Sequence, residues 1–503
     1  MSIAKGALLG TAAAIVSLGS AGAADLPVKA RPVEHMKICP LYGEGFYYIP
    51  GTDTCLKIGG FLRIQTEYNM GAGGGAAGNG STEAAQARFA RDVTNDMNYR
   101  VRAAMSWDVR QQTDYGTLRT YASWGAENTT PLQTGAGTTF SPYWDRAFLQ
   151  FAGFTVGKTV SFFDLFTYTP YSYHDPRVTG DTTTSNGTPL WAYTAQFGAG
   201  VSASLSLEDP AAKATQVVDA TVPGFFAVNG AINPDSAFSQ QAANTNGFRM
   251  PDIVVNGRVD QEWGFFGASG MIHDASGAYY GTPNNVNNGH PADKIGWAVA
   301  AGGKLNLPGG DMIGANVCYA EGSVGFCTRQ VSAQVYNAST SVAAGWMTDS
   351  IFTNGTEIEL TKAWSALAAY EHIWNPRWRT SWFGGYAIVE YNNTARDILN
   401  SALVAGSVCP RPFAGIVGNL SAVRADLGNS CNPNYSLYEL GTRTQFNPAP
   451  QLDIGFEVLY THHYTAYKGA ALYTANAPRP VVTLMDDQSV WSGIVRWQRN
   501  FYP

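Results

Sequence analysis

What this chain lacks narrows its identity before any motif is read. Beyond its first 23 residues it has no long apolar run, and a mean hydropathy of −0.13 excludes a bundle of membrane helices. Charged residues make up only 14% of the chain, against about 25% in soluble domains. Seven histidines and no C-x-x-C spacing argue against a zinc site, and no other cofactor is implied. The formal charge of −6 argues against nucleic acid as a partner. No Ser/His or Asp/His set of the kind a barrel lipase or protease needs stands out, so an enzyme is not expected. None of these absences conflicts with a membrane β-barrel, whose lumen and loops are polar.

What is present begins with an export signal. Lys5 precedes an apolar stretch through Leu8, Leu9, Ile15, Val16 and Leu18, and Ala21-Gly22-Ala23 supplies small residues before a cut. Cleavage is expected after Ala23, leaving 24–503 as one domain with no dividing linker. Residues 97–109 then show a clean period of two. Met97, Tyr99, Val101, Ala103, Met105, Trp107 and Val109 take one face; Asn98, Arg100, Arg102, Ser106, Asp108 and Arg110 take the other. That is a β-strand with one apolar and one charged face. In an exported chain with many such segments, the apolar side faces lipid and the arginines face a water-filled lumen.

Further strands are expected at 56–64, 117–124, 146–152, 154–163, 190–197 and 201–208. Others follow near 252–261, 265–273, 295–304, 312–320, 357–371, 378–391, 436–446, 451–462 and 490–501. Short connections such as Asn375-Pro376 and Leu307-Pro308-Gly309-Gly310 alternate with long polar ones, including 71–80 and 210–250. The expected fold is all-β: a transmembrane antiparallel barrel of about 16 strands. A soluble sandwich would not place Trp107, Trp124, Trp364, Trp382 and Trp497 along outward faces. The 55 glycines and 13% aromatics suit turns, strands and interface girdles.

Six cysteines fall into sequence-local pairs, Cys39 with Cys55, Cys318 with Cys327, and Cys409 with Cys431. Proximity alone suggests this pairing, and six cysteines allow fifteen connectivities. In an oxidising periplasm each pair would staple one loop, worth about 3 kcal/mol for a loop of about 15 residues. His462 and His463 are adjacent on a strand, so their side chains point to opposite faces and cannot share a metal ion.

Three stretches resemble one family. The block from Cys39 to Cys55, running on through Leu-Lys-Ile-Gly-Gly-Phe-Leu to Arg63, is similar to the N-terminal signature of the alphaproteobacterial (rhizobial-type) general porins. So are Arg146 to Gly157 leading to Ser161-Phe-Phe-Asp164, and the closing run from Trp491 to Phe501. Tyr502 and Pro503 after that last aromatic depart from the family pattern. The resemblance implies a homotrimer in the outer membrane, among its lipid and lipopolysaccharide, passing small hydrophilic solutes and ions by passive diffusion. An alternative is a barrel-type adhesin or receptor using the long loops.

By resemblance to porins, the loop after the fifth strand, about 164–189, folds inward and narrows the channel. Asp164, Asp175 and Asp181 would form its acidic side, opposite lumen-facing Arg63, Arg100, Arg102, Arg110, Arg119 and Arg146. Carboxylates facing arginines set up a transverse field that orients dipolar solutes and filters ions.

Overall fold

The computed structural model of the protein describes residues 37–68, 97–130, 139–174, 178, 187–220, 244–281, 285–328, 333–338, 341–402, 432–469, 471–473 and 482–501. The expected cleavage after Ala23, and Asp175, Asp181, Cys409 and Cys431, lie outside these residues.

Sixteen antiparallel strands form the wall: β1 (Cys55–Tyr68), β2 (Met97–Thr113), β3 (Gly116–Thr129), β4 (Thr139–Phe151), β5 (Phe154–Thr159), β6 (Thr188–Gly198), β7 (Val201–Glu208) and β8 (Asp252–Gln261), followed by β9 (Gly264–Asp274), β10 (Ile295–Asn306), β11 (Met312–Glu321), β12 (Lys362–Asn375), β13 (Trp378–Glu390), β14 (Tyr435–Ala449), β15 (Leu452–Tyr464) and β16 (Gln488–Asn500). Each pairs with its successor, and β16 returns to β1 in the register Phe61↔Asn500 through Tyr68↔Gly493. Closure leaves no unpaired edge, which a lipid-exposed sheet requires.

Sequence period becomes wall polarity directly. On β2, Tyr99, Val101, Met105 and Trp107 are exposed while Asn98, Arg100, Ser106 and Asp108 are buried. The outward tryptophans expected from sequence, Trp107, Trp124, Trp364, Trp382 and Trp497, are all 39–53% exposed. Apolar surface of that extent is stable in lipid and not in water. His462 and His463 do take opposite faces, half-buried on the outer side and buried on the inner side respectively. Aromatic residues collect at both rims, with Trp378 4.5 Å from Phe446 at one end and Tyr460 4.8 Å from Trp491 at the other.

The two ends differ. At one, turns are short: Asp114-Tyr115 joins β2 to β3, Ala152-Gly153 joins β4 to β5, and Ala199-Gly200 joins β6 to β7. Positive φ at Ala152, Gly153, Ala199 and Gly200 makes these hairpins tight. At the other end, long segments follow every odd-numbered strand up to β15. Several of these pack together in the mouth around Val218, Phe326, Met347, Ile351, Leu399 and Tyr467. Two of the three expected disulfides fall within the described residues and are formed: Cys39–Cys55 at the turn end and Cys318–Cys327 at the loop end.

Candidate functional site

The segment between β5 and β6 turns into the barrel and is held there by inward-facing residues of strand after strand. At its start, the Phe162 amide donates to Glu208 Oε1 on β7 at 2.9 Å. Asn256 on β8 donates to the Phe162 carbonyl at 2.7 Å, and Ser269 on β9 donates to the Phe163 carbonyl at 2.8 Å. Across the lumen, the Tyr168 hydroxyl donates to Glu439 on β14 at 2.8 Å, and Arg443 donates to the Pro170 carbonyl at 2.9 Å. On β16, Arg496 donates to the Tyr173 carbonyl at 3.1 Å.

Glycines on the inner wall give the loop its bed. An added Cβ at Gly314 on β11 would fall 2.2 Å from the Phe166 ring, and one at Gly455 on β15 would fall 1.8 Å from the Tyr173 hydroxyl. Gly385 on β13 and Gly267 on β9 stand in the same relation to Val178 and Leu165, at 2.4 and 3.0 Å. The loop approaches this closely because these inward positions carry no side chain.

The far end of the clasp is Glu457 on β15. Its carboxylate accepts from the backbone amides of Tyr173 and His174 and pairs with His174 Nδ1, while His174 Nε2 lies 3.2 Å from Ser492 Oγ. The connectivity of Ser492, His174 and Glu457 resembles a hydrolase relay. Their exposures of 5%, 3% and 0% deny a substrate access to the serine, and the trio works as a clasp. Burial raises the pKa of the loop hydroxyls of Tyr171 and Tyr173 above the usual phenol value.

Facing the loop is the wall formed by β1 to β4, which carries all six expected arginines. Arg100 and Arg102 share one carboxylate, their Nε atoms 2.9 and 2.8 Å from Glu127 Oε2, with Glu67 4.0 Å from Arg100. Arg63 donates to Gln498 at 2.7 Å, and Arg146 donates to the Asp145 carbonyl at 2.7 Å. Arg110 and Arg119 form a separate group around Asp108 nearer the turn end.

Of the expected acidic loop residues, Asp164 is turned away from this wall. It is buried at the root of the loop, 3.5 Å from Lys213 Nζ, so its charge serves packing within the protein. Sequence reasoning also passed over Glu371, Glu439, Arg443, Glu457 and Arg496. Their signal was available: each is an ionisable side chain at lumen parity on its strand.

A closed, even-stranded barrel with lipid-facing aromatics, short turns at one end and long loops at the other defines an outer-membrane β-barrel of the channel-forming type. The chain belongs to the porin subfamily, whose family model matches residues 25–494. It is 32% identical to porin Omp2b of Brucella suis over 213 residues, which cover 41% of this chain and 53% of that protein. Omp2b of Brucella canis is 31% identical over the same length. The chain thus spans about half the length of the curated relatives it matches. Among solved structures, the outer membrane channel DcaP of Acinetobacter baumannii aligns with a TM-score of 0.51 at 12% identity, covering 90% of this chain and 99% of that one. That likeness is one of fold.

Proposed function

We propose that the protein is a water-filled diffusion channel for small hydrophilic solutes and ions, with its constriction between the inward loop and the β1–β4 arginine wall. The observation that carries this reading is the loop's attachment across the lumen, from Glu208 on β7 to Arg496 on β16. An unfilled 16-stranded barrel is wide, and a loop fixed to one side of it leaves a narrowed aperture on the other. Arg63, Arg100, Arg102 and Arg146 line that aperture, and Asp175 and Asp181 supply the acidity of the loop. The transverse field between them orients dipolar solutes. Three copies assemble in the outer membrane among its lipids and lipopolysaccharide, as the family resemblance implies. Catalysis forms no part of this reading.

Planar-bilayer recording tests it. The purified protein should insert with ohmic conductance rising in steps of three. Deleting about 172–186 should raise single-channel conductance and admit larger sugars in liposome swelling. A folded, detergent-solubilised protein that never conducts overturns the channel. An unchanged exclusion limit after the deletion, in an intact barrel, overturns the constriction.

A further inference from the structure

A second group of lumen-facing residues lies well away from the loop. Arg110 is eight residues beyond Arg102 along β2, about 26 Å at about 3.3 Å per strand residue. Asp108 is gripped by two guanidinium groups. Arg110 reaches it through Nε and Nη2 at 2.9 and 2.7 Å, and Arg119 through Nε and Nη2 at 3.0 and 2.9 Å. Among the described residues nothing accepts from Nη1 of Arg110. Lys57 adds a third cation on the neighbouring strand, its ammonium donating to the Glu44 carbonyl at 3.1 Å. Lys57 is the register partner of Asp108 on β1, and two guanidinium groups on the one carboxylate, with this ammonium on the neighbouring strand, leave an excess of positive charge.

Aromatic rings surround this charge. The Arg110 guanidinium lies 4.9 Å from the Phe46 ring and 5.6 Å from the Tyr42 ring, and Lys57 lies 5.7 Å from Phe46. On the wall, Tyr121 and Phe148 stack at 5.3 Å, with Arg119 5.3 and 5.4 Å from their centroids. The Cys39–Cys55 disulfide closes the loop that brings Tyr42 and Phe46 here. The side chains of Arg110 and Arg119 remain about a quarter exposed, and Tyr121 and Phe148 are only partly buried. The cations are therefore held by rings and one acid, yet stay open to the lumen.

We propose that the turn-end mouth is a second solute site, selective for carboxylates with a flat aromatic body. The carboxylate takes the free edge of Arg110 and the Lys57 ammonium, as a charge-assisted pair with donors already in place. The ring lies against the Tyr121–Phe148 stack, adding an offset aromatic contact that an aliphatic anion cannot make. Neither element alone gives the preference: an uncharged ring lacks the anchor, and a small anion lacks the surface. The site rests on the channel reading for its access, and it lies beyond the loop constriction.

The test uses the full chain in a planar bilayer, with benzoate as probe on the turn-end side and potassium chloride as carrier. Benzoate should interrupt the open current in resolvable blocks, whereas acetate and benzyl alcohol at the same concentration should not. Lys57→Gln with Arg110→Gln should raise the half-blocking concentration of benzoate at least 10-fold. Tyr121→Ser should narrow the benzoate-to-acetate preference. Equal interruption by acetate and benzoate on the unmodified protein overturns the site, whether or not the variants fold. If no potassium chloride current appears, the channel reading fails instead. Equilibrium dialysis of benzoate against the folded protein in detergent then decides the site by itself, with saturable binding expected and its absence overturning it.

Discussion

Arg100 and Arg102 point into the lumen from alternate positions of β2 and converge on Glu127, so their charges cannot be altered independently. Changing both to Ser removes two positive charges and strips Glu127 of both guanidinium groups that it accepts from. The reversal potential under a salt gradient should move toward cation selectivity by more than either single change produces. An unchanged potential would place the pair outside the conducting path. Val101, between them in sequence, faces the opposite way and is 43% exposed on the lipid side. Val101→Arg should cost about 2–4 kcal/mol if near the midplane, read as a shift in urea unfolding from lipid vesicles. One residue step thus separates a change in selectivity from a change in stability.

At the scale of elements, the inward loop depends on bare backbone beneath it as much as on hydrogen bonds. Gly455→Leu puts a side chain where the Tyr173 hydroxyl now lies and should lift the loop from β15, raising single-channel conductance in a barrel that still folds. Conductance equal to that of the unmodified protein would show that the loop yields without moving. At the turn end, Asp311 between β10 and β11 accepts from His372 Nδ1, the Ile373 amide and the Tyr370 hydroxyl. The His372 hydrogen bond leads these in holding the Asp311 pKa down, to about 2. A depressed carboxylate pKa contributes stability that is fully present above the unfolded value of about 3.9 and is lost as pH falls through the folded one. The melting temperatures of the unmodified protein and of Asp311→Asn should therefore differ at pH 5 and converge as pH approaches 2.

For the whole molecule, the decisive event is closure of β16 on β1. The Phe501 amide donates to the Gly60 carbonyl at 2.9 Å, and the Phe501 ring covers the outer face of Gly60. A Cβ there would meet the Phe501 ring at 2.4 Å and the Ala104 carbonyl oxygen at 2.2 Å. Gly60→Leu should slow or prevent closure, seen as loss of the compact heat-modifiable band on electrophoresis. A variant that closes at the normal rate would show that the seam tolerates the strain.

The chain by itself determined the barrel, because strand period and lipid-facing polarity are local properties. Tyr99, Val101 and Trp107 on one side of β2 and Arg100 and Arg102 on the other were legible residue by residue. Two disulfides between near neighbours, Cys39–Cys55 and Cys318–Cys327, were legible for the same reason. Boundaries were less so: the strand expected at 154–163 ends at Thr159, where the chain leaves the wall for the lumen. The course of the loop was decided by tertiary structure, since Gly314, Gly385 and Gly455 become a bed only when β11, β13 and β15 stand side by side. The partner of each charge was likewise decided there. Asp164 meets Lys213, 49 positions away, and His174 meets Glu457, 283 positions away. Alternation states which side of the wall a residue faces; only the closed barrel states what stands across from it.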